Sequence, residues 1–416
     1  MARVIDKDWR KKEESFREII KKYPEISPFI ITQLDVQRRG VTFTSAALDR
    51  VDPSIHQTRP LGERLAPDSL LLRDGTSIVT NFTFATSDGT ISGRDPYLVD
   101  VVDGKTVLTD NGDIIDEIIY WEKPEYYDKV TSFGNKMGTV IRARPQRFHL
   151  DVNHYCHFWD VGGEGCKYCG IGAEGHKYKG ASNEHANYDE IREVMQELVK
   201  EKGRFTGFIL TGGSVLSGKE LCDDELEQYI QTMHAIGSVF SAKKFPSQIN
   251  STALNVRQLE RLYNETGLTS YTTDLEVFDE EVHKWVCPGK ARLIPFKEWK
   301  KRLYDAVPIF GKGQVNTGIV SGVELAEPNG FKSEAEAIAR NLETAEELTS
   351  HGVGLKHDVW NVVPNSIFKN QSTPSLDYYV QITKGFYELN LKYGINTEMD
   401  DYRKCSMHAN INHDRI

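Results

Sequence analysis

Three of the chain's six cysteines, Cys156, Cys166 and Cys169, lie in one glycine-rich stretch, "HYCHFWDVGGEGCKYCG", at the spacing C-x9-C-x2-C. Thiols grouped this way in a chain of 416 residues point to metal or catalytic use and not to a disulfide framework. A structural zinc closes its tetrahedron with four protein ligands and a catalytic one keeps three plus water. An iron-sulfur cluster is usually held by four thiolates. Three cysteines therefore either leave one iron open to a ligand that is not protein, or are completed by His154, His157 or His176 into a Cys3His zinc site. Gly162, Gly163 and Gly165 suit both readings, because both need backbone folded tightly round a metal.

Such a loop must be carried on regular elements. From about residue 145 the chain repeats strand, loop, helix. "RFHLDV" leads to "NYDEIREVMQELVKEKG", with Asn187 as cap and Gly203 as stop, and "TGFILTG" leads to a helix from Asp223. "FPSQINS" precedes "NVRQLERLYNETG", and "YTTDLEVF" precedes a helix ending near Val307. "GQVNTGIV" precedes "SEAEAIARNLETAEELTSHG", where Ser333 and Glu336 have capping-box spacing, and "VWNVVP" precedes "LDYYVQITKGFYELNLKYG". Six such units predict an α/β fold, a partial (β/α)6 TIM-like barrel of parallel strands with right-handed crossovers and ligands at the strands' carboxyl ends. The cysteine loop follows the first strand and so belongs to that face.

Upstream the texture differs. A helix is expected over Asp8 to Lys22, followed by short β-like runs punctuated by SDG, VDG and DNG. The expected layout is an accessory α+β or mainly β domain over 1–140, the barrel over 141–394 and a tail over 395–416. Composition, at 39% hydrophobic and 27% charged, is that of an ordinary globular protein. The 51 basic and 61 acidic residues give a net charge of −10, so no overall positive field gathers nucleic acid. The N-terminal "MARVIDKDWRKKEESF" lacks the apolar core of a secretory signal, and no run approaches the roughly 18 apolar residues of a membrane span. A cytoplasmic protein without a membrane partner is the expectation.

The cysteine loop resembles that of the radical S-adenosylmethionine superfamily, whose signature is most often C-x3-C-x2-C after the first barrel strand, with an aromatic just before the last cysteine. Tyr168 holds that place, and the first gap is nine instead of three. The resemblance implies a [4Fe-4S] cluster on Cys156, Cys166 and Cys169, with S-adenosyl-L-methionine chelating the open iron. It also implies an oxygen-sensitive enzyme fed by a one-electron donor such as flavodoxin or ferredoxin.

Later strand ends extend the resemblance, nearest to the biotin synthase and hydrogenase-maturase branch, over roughly residues 145 to 390. "LTGGS" resembles the G-G-E motif, with Gly212 and Gly213 as backbone contributors and Ser214 in place of the acid. Asn250 and Ser251 of "INS" are candidates for ribose or methionyl contact, and Glu276 of "TDLEVF" matches the L-E-T segment. A buried carboxylate there needs a partner, which a hydroxylated or cationic ligand supplies. Lys300 falls where the branch carries the arginine for the methionyl carboxylate, keeping the charge but not the bidentate fork. Gly318, Ile319 and Gly322 match the fifth-strand adenine motif, and Val363 and Pro364 of "NVVPN" the adenine-edge position.

The expected reaction is hydrogen abstraction from a small-molecule substrate, leading to rearrangement, bond cleavage or carbon-carbon formation. Two alternatives stay open: a peptide or protein modifier that uses the N-terminal domain for recognition, and a non-catalytic zinc or Fe-S scaffold. Cys222, Cys287 and Cys405 are scattered, and they are read as ordinary thiols, with one as a hydrogen donor near the open face or the three together holding an auxiliary cluster as the alternatives. His408, His413 and Asp400 of the tail and the polar loop 50–65 are candidate covers for the cavity.

Overall fold

The computed structural model describes residues 5–52, 67, 69–79, 85–86, 89–90, 92–144, 147–203, 207–395 and 407–412. Six parallel strands, Phe148–Asn153, Phe208–Gly212, Ser247–Asn250, Ser270–Thr272, Val315–Ser321 and Gly354–Val359, lie side by side in chain order. A doubly wound sheet reverses its strand order part-way. Unreversed order with right-handed crossovers instead keeps every helix on one face, and the twisted sheet curls inside them as a partial barrel. A two-residue strand, Arg142–Ala143, pairs antiparallel with the outer edge of the first.

Local chemistry places the helices. Asn187 accepts from the Asp189 and Glu190 amides at the start of Tyr188–Leu198, which ends short of Gly203. Asn255 and Gln258 form a reciprocal capping box on Val256–Thr266, and Ser333 accepts from the Glu336 amide on Glu334–Ser350. The single helix expected after the fourth strand is instead three, Glu280–Val286, Pro288–Leu293 and Phe296–Phe310. Pro288 lacks an amide proton, so it stops the first of these and opens the next.

The sixth strand differs from its expected position. It is Gly354–Val359, so most of "VWNVVP" lies beyond its end. The strand's polar residues hid it from a hydrophobic pattern, and each is satisfied internally. Lys356 pairs with Asp274 at 3.1 Å, His357 lies between Ser321 and Thr383 at 2.9 Å from each, and Asp358 faces His408 at 3.0 Å. Residues 407–412 run along this strand: the Asn410 amide donates to Leu355 O at 2.9 Å and accepts from the His357 amide at 3.3 Å. Cys405, His413, Asp400 and most of the loop 50–65 lie outside the described residues.

A second, mixed sheet occupies the upstream region, in the spatial order Val41–Phe43, Tyr97–Val102, Lys105–Asp110, Asp113–Ile119, Ser69–Leu72 and Ser77–Val79. Its two tight hairpins turn on Asp103-Gly104 and Asn111-Gly112, all four residues at positive φ, as two-residue turns of this hand require. The helix expected over Asp8 to Lys22 breaks into Trp9–Lys12 and Phe16–Lys22, where Ser15 and Glu18 cap the second piece. Helix Pro28–Arg39 joins the two regions: Ile30, Ile31 and Leu34 pack into the barrel's core and Val36 into that of the second sheet.

Candidate active site

The carboxyl ends of the parallel strands enclose an open cavity of about 710 Å³ lined by Arg142, Asp151, Asn153, Gly212, Ser214, Asn250, Ser251, Asp274, Glu276 and Lys290, among others. The cysteine loop is sewn to this rim by backbone hydrogen bonds. His157 N donates to Ser214 O at 2.8 Å, Lys167 N to Val286 O at 2.9 Å, and Phe368 N to Lys167 O at 3.0 Å. The loop is thus tied to the segments after the second, fourth and sixth strands. Gly213 lets strand two's end approach it: a Cβ there would stand 2.0 Å from Tyr155 O. Gly165 and Gly172 make room for the Trp159 indole, which a Cβ on either would strike at 2.2 Å.

All three thiols are half-buried. Burial, and then the Cys166 thiol, push Cys169 up, and burial is the main cause raising Cys156 to about 11. Cys166 shifts the other way because Cys287 hydrogen-bonds it and Lys290 lies near. Cys166 thus hinders the ionisation of Cys156 and Cys169, a repulsion that a cationic metal centre relieves. Of the three histidines named for a zinc site, His157 Nε2 lies 2.7 Å from Glu184 Oε1 and His154 Nδ1 2.8 Å from Asn183 O, each with its other ring nitrogen outside these contacts, and the His176 ring lies against Tyr155. Among the described residues no three His, Cys, Asp or Glu side chains converge on a single-ion position.

Glu276 is the link between cysteines and cavity. It sits at φ +69°, a conformation costing a non-glycine residue about 1–3 kcal/mol. Its amide donates to Gly318 O and its carbonyl accepts from the Val320 amide, which fixes it against Ile319 of the fifth strand. Its carboxylate meets Lys290 Nζ at 2.6 Å, and the buried Tyr168 lies close to both Glu276 and Cys166. Burial pushes the Glu276 carboxyl up. Burial alone would lower Lys290, but Glu276 outweighs it and holds the ammonium charged. Asp274, two residues earlier, takes Asn250 Nδ2 at 2.8 Å and Lys356 Nζ at 3.1 Å on one oxygen.

Of the expected site residues, Gly212, Ser214, Asn250, Ser251 and Glu276 line the cavity. Tyr168 and Gly213 support it as described, and Gly318 leaves space for Lys356 and Asp274 beside it. The expectation for Lys300 is corrected by its position: its ammonium pairs with Glu347 on the neighbouring helix, outside the barrel. Lys290 brings the charge into the cavity instead, from a helix the strand-to-strand count passed over. Val363 and Pro364 fall in the loop beyond the sixth strand, where Asn365 lies against Gly170 of the cysteine loop. Cys222 is buried beside Glu225, and Cys287 is buried against Cys166. Arg142 and Asn153 had no sequence signal.

No protein-family model matches the chain. It is 30% identical over 138 residues to the bacteriochlorophyllide c C-7(1)-hydroxylase of Chlorobaculum limnaeum, a match spanning 33% of this chain and 31% of that relative. Solved structures similar to the chain include the FeFe-hydrogenase maturase HydG of Carboxydothermus hydrogenoformans, at 16% identity and TM-score 0.41 over 59% of this chain and 51% of that one. A radical SAM methyltransferase of Sphaerobacter thermophilus gives 14% identity and TM-score 0.41 over 71% and 73% of the two chains. Methylornithine synthase gives 14% and 0.37 over 67% and 79%. Among the described residues no helix is long and apolar enough to cross a membrane.

Proposed function

We propose that the chain is a radical S-adenosylmethionine enzyme in which Cys156, Cys166 and Cys169 hold a four-iron, four-sulfur cluster and the cavity binds S-adenosylmethionine. The observation that carries this is the placement of the three-cysteine loop, tied by backbone hydrogen bonds to the segments after strands two, four and six, beside a cavity that its own His154 and Ile171 help to line. When bound, the two cofactors supply one-electron cleavage of the sulfonium and a 5′-deoxyadenosyl radical that takes hydrogen from a small molecule. The chain's own share is binding, orientation and exclusion of water. Lys290, kept charged by Glu276, is the candidate for the methionyl carboxylate. Gly212 and Ser214 offer backbone and hydroxyl groups to its amino end, and Asn250 and Ser251 offer hydrogen bonds to the ribose. Tyr168, close to both, fills the space between Glu276 and Cys166.

The test is anaerobic purification followed by reduction with dithionite in the presence of S-adenosylmethionine. A brown protein with about four irons and release of 5′-deoxyadenosine is expected. The triple cysteine-to-alanine variant is expected to be colourless and inactive. One tightly held zinc, no colour and no nucleoside would establish a zinc scaffold instead.

A further inference from the structure

Part of the cavity wall has a composition that the residues assigned to the cofactors do not account for. Arg142, on the short edge strand, pairs with Asp151 of the first barrel strand at 2.5 Å through Nη2. The same nitrogen lies 2.8 Å from His149 Nδ1. Among the described residues both contacts use Nη2 alone, leaving Arg142 Nε and Nη1 unengaged. Asp274 uses only Oδ2 for Asn250 and Lys356, and its Oδ1 is buried without a partner. Asn153, 1% exposed, lines the same cavity with both amide atoms unpartnered. Buried polar groups of this kind are rarely left unsatisfied, so a ligand offering both donors and acceptors is implied.

The sign of the wall narrows the ligand. Its ionised lining is three cations, Arg142, Lys177 and Lys290, against three carboxylates, Asp151, Asp274 and Glu276. A wall so balanced has no surplus positive charge for a phosphate ester. An apolar ligand would bury these groups unpaired. Resting on the radical reading above, we infer that the substrate is a small zwitterion of the amino-acid kind, its carboxylate accepting from an unengaged N–H of the Arg142 guanidinium and its ammonium on Asp274. With Nη2 taken by Asp151 and His149, Nε–H and Nη1–H each offer a carboxylate one charge-assisted hydrogen bond. The cavity lies within the roughly 300–1,000 Å³ of small-molecule sites, which suits a nucleoside cofactor with one small companion. A bacteriochlorophyllide, a large and mostly apolar macrocycle, matches neither the charge nor the space.

The probe is a uniformly deuterated mixture of free amino acids, incubated with the reconstituted full chain, S-adenosylmethionine and dithionite. Parallel incubations use deuterated sugar phosphates and deuterated fatty acids. A C–D bond broken in the substrate becomes a C–D bond at the 5′ carbon, so mass spectrometry of the released 5′-deoxyadenosine reads the donor directly. Deuterium is expected from the amino-acid mixture alone, falling at least tenfold in Arg142→Gln and partly restored in Arg142→Lys, with iron content equal in all three proteins. Unlabelled nucleoside from every mixture, label from the phosphates or fatty acids, or unchanged transfer in Arg142→Gln overturns the zwitterion while leaving the radical reading intact. No nucleoside from any mixture overturns both.

Discussion

Lys290 and Lys300 illustrate how far a residue's role depends on where its helix points. Both are lysines in the same run of short helices, yet one ammonium meets Glu276 beside the cavity and the other meets Glu347 outside it. Replacing Lys290 by glutamine removes a charged hydrogen-bonding group, a loss of about 1.5–3 kcal/mol. S-adenosylmethionine affinity, measured by calorimetry on the cluster-loaded protein, is then expected to fall roughly tenfold to a hundredfold. Lys300→Gln is expected to leave it within about twofold, since its ammonium pairs with Glu347 and does not line the cavity. Asn153 offers the complementary case. With both amide atoms buried and unpartnered, its replacement by leucine removes an unsatisfied polar group, so the melting temperature should hold or rise while turnover drops at least tenfold. The cysteines and strand-end glycines were legible because few other roles explain them. Lys290, Asn153 and Arg142 were not, because a lysine on a helix or an asparagine ending a strand has many ordinary explanations.

At the scale of elements, Glu225 braces the loops that carry two cavity residues. Its carboxylate accepts from the Val215 amide at 2.8 Å, the Thr252 amide at 2.7 Å and the Thr252 hydroxyl at 2.8 Å, joining the segments after strands two and three next to Ser214 and Ser251. Glu225→Ala strands three buried donors at about 1–3 kcal/mol each before relaxation. A loss of roughly 2–5 kcal/mol in urea unfolding and weaker cofactor binding are expected together. Strand and helix order was readable because capping residues and a 3.6-residue period are local signals. The sixth strand was misplaced because its Lys356, His357 and Asp358 are satisfied by Asp274, Ser321, Thr383 and His408, partners distant in sequence. The break at Cys287 is local in cause but altered which lysine faces inward.

The whole molecule carries its own pH dependence. His149, His283 and His357 are buried, and burial is the main cause holding each well below the usual histidine range, His283 and His357 at about 3. Below about pH 6.5 the unfolded chain binds protons at these positions that the folded chain refuses, so stability rises with pH there and is lost on acidification. Each site contributes a slope of about 1.4 kcal/mol per pH unit, up to about 4 for the three. Urea midpoints between pH 7 and 5 should fall steeply. His283→Leu should flatten the slope by about a third, since neither ring nitrogen of His283 has a partner to lose. None of this was visible in composition, which counts histidines without saying which are enclosed.

Asn410 spends its amide on the outermost strand of the barrel, filling Leu355 O and the His357 N–H with a side chain where another β-strand would otherwise lie. A curled sheet that stops at six strands has a raw margin, and such margins recruit strands from other molecules. Six residues of tail therefore cover that margin, and they are expected to keep copies of this protein from pairing through it. A chain truncated before residue 407 should scatter light in a concentration-dependent way at temperatures where the intact chain stays monodisperse.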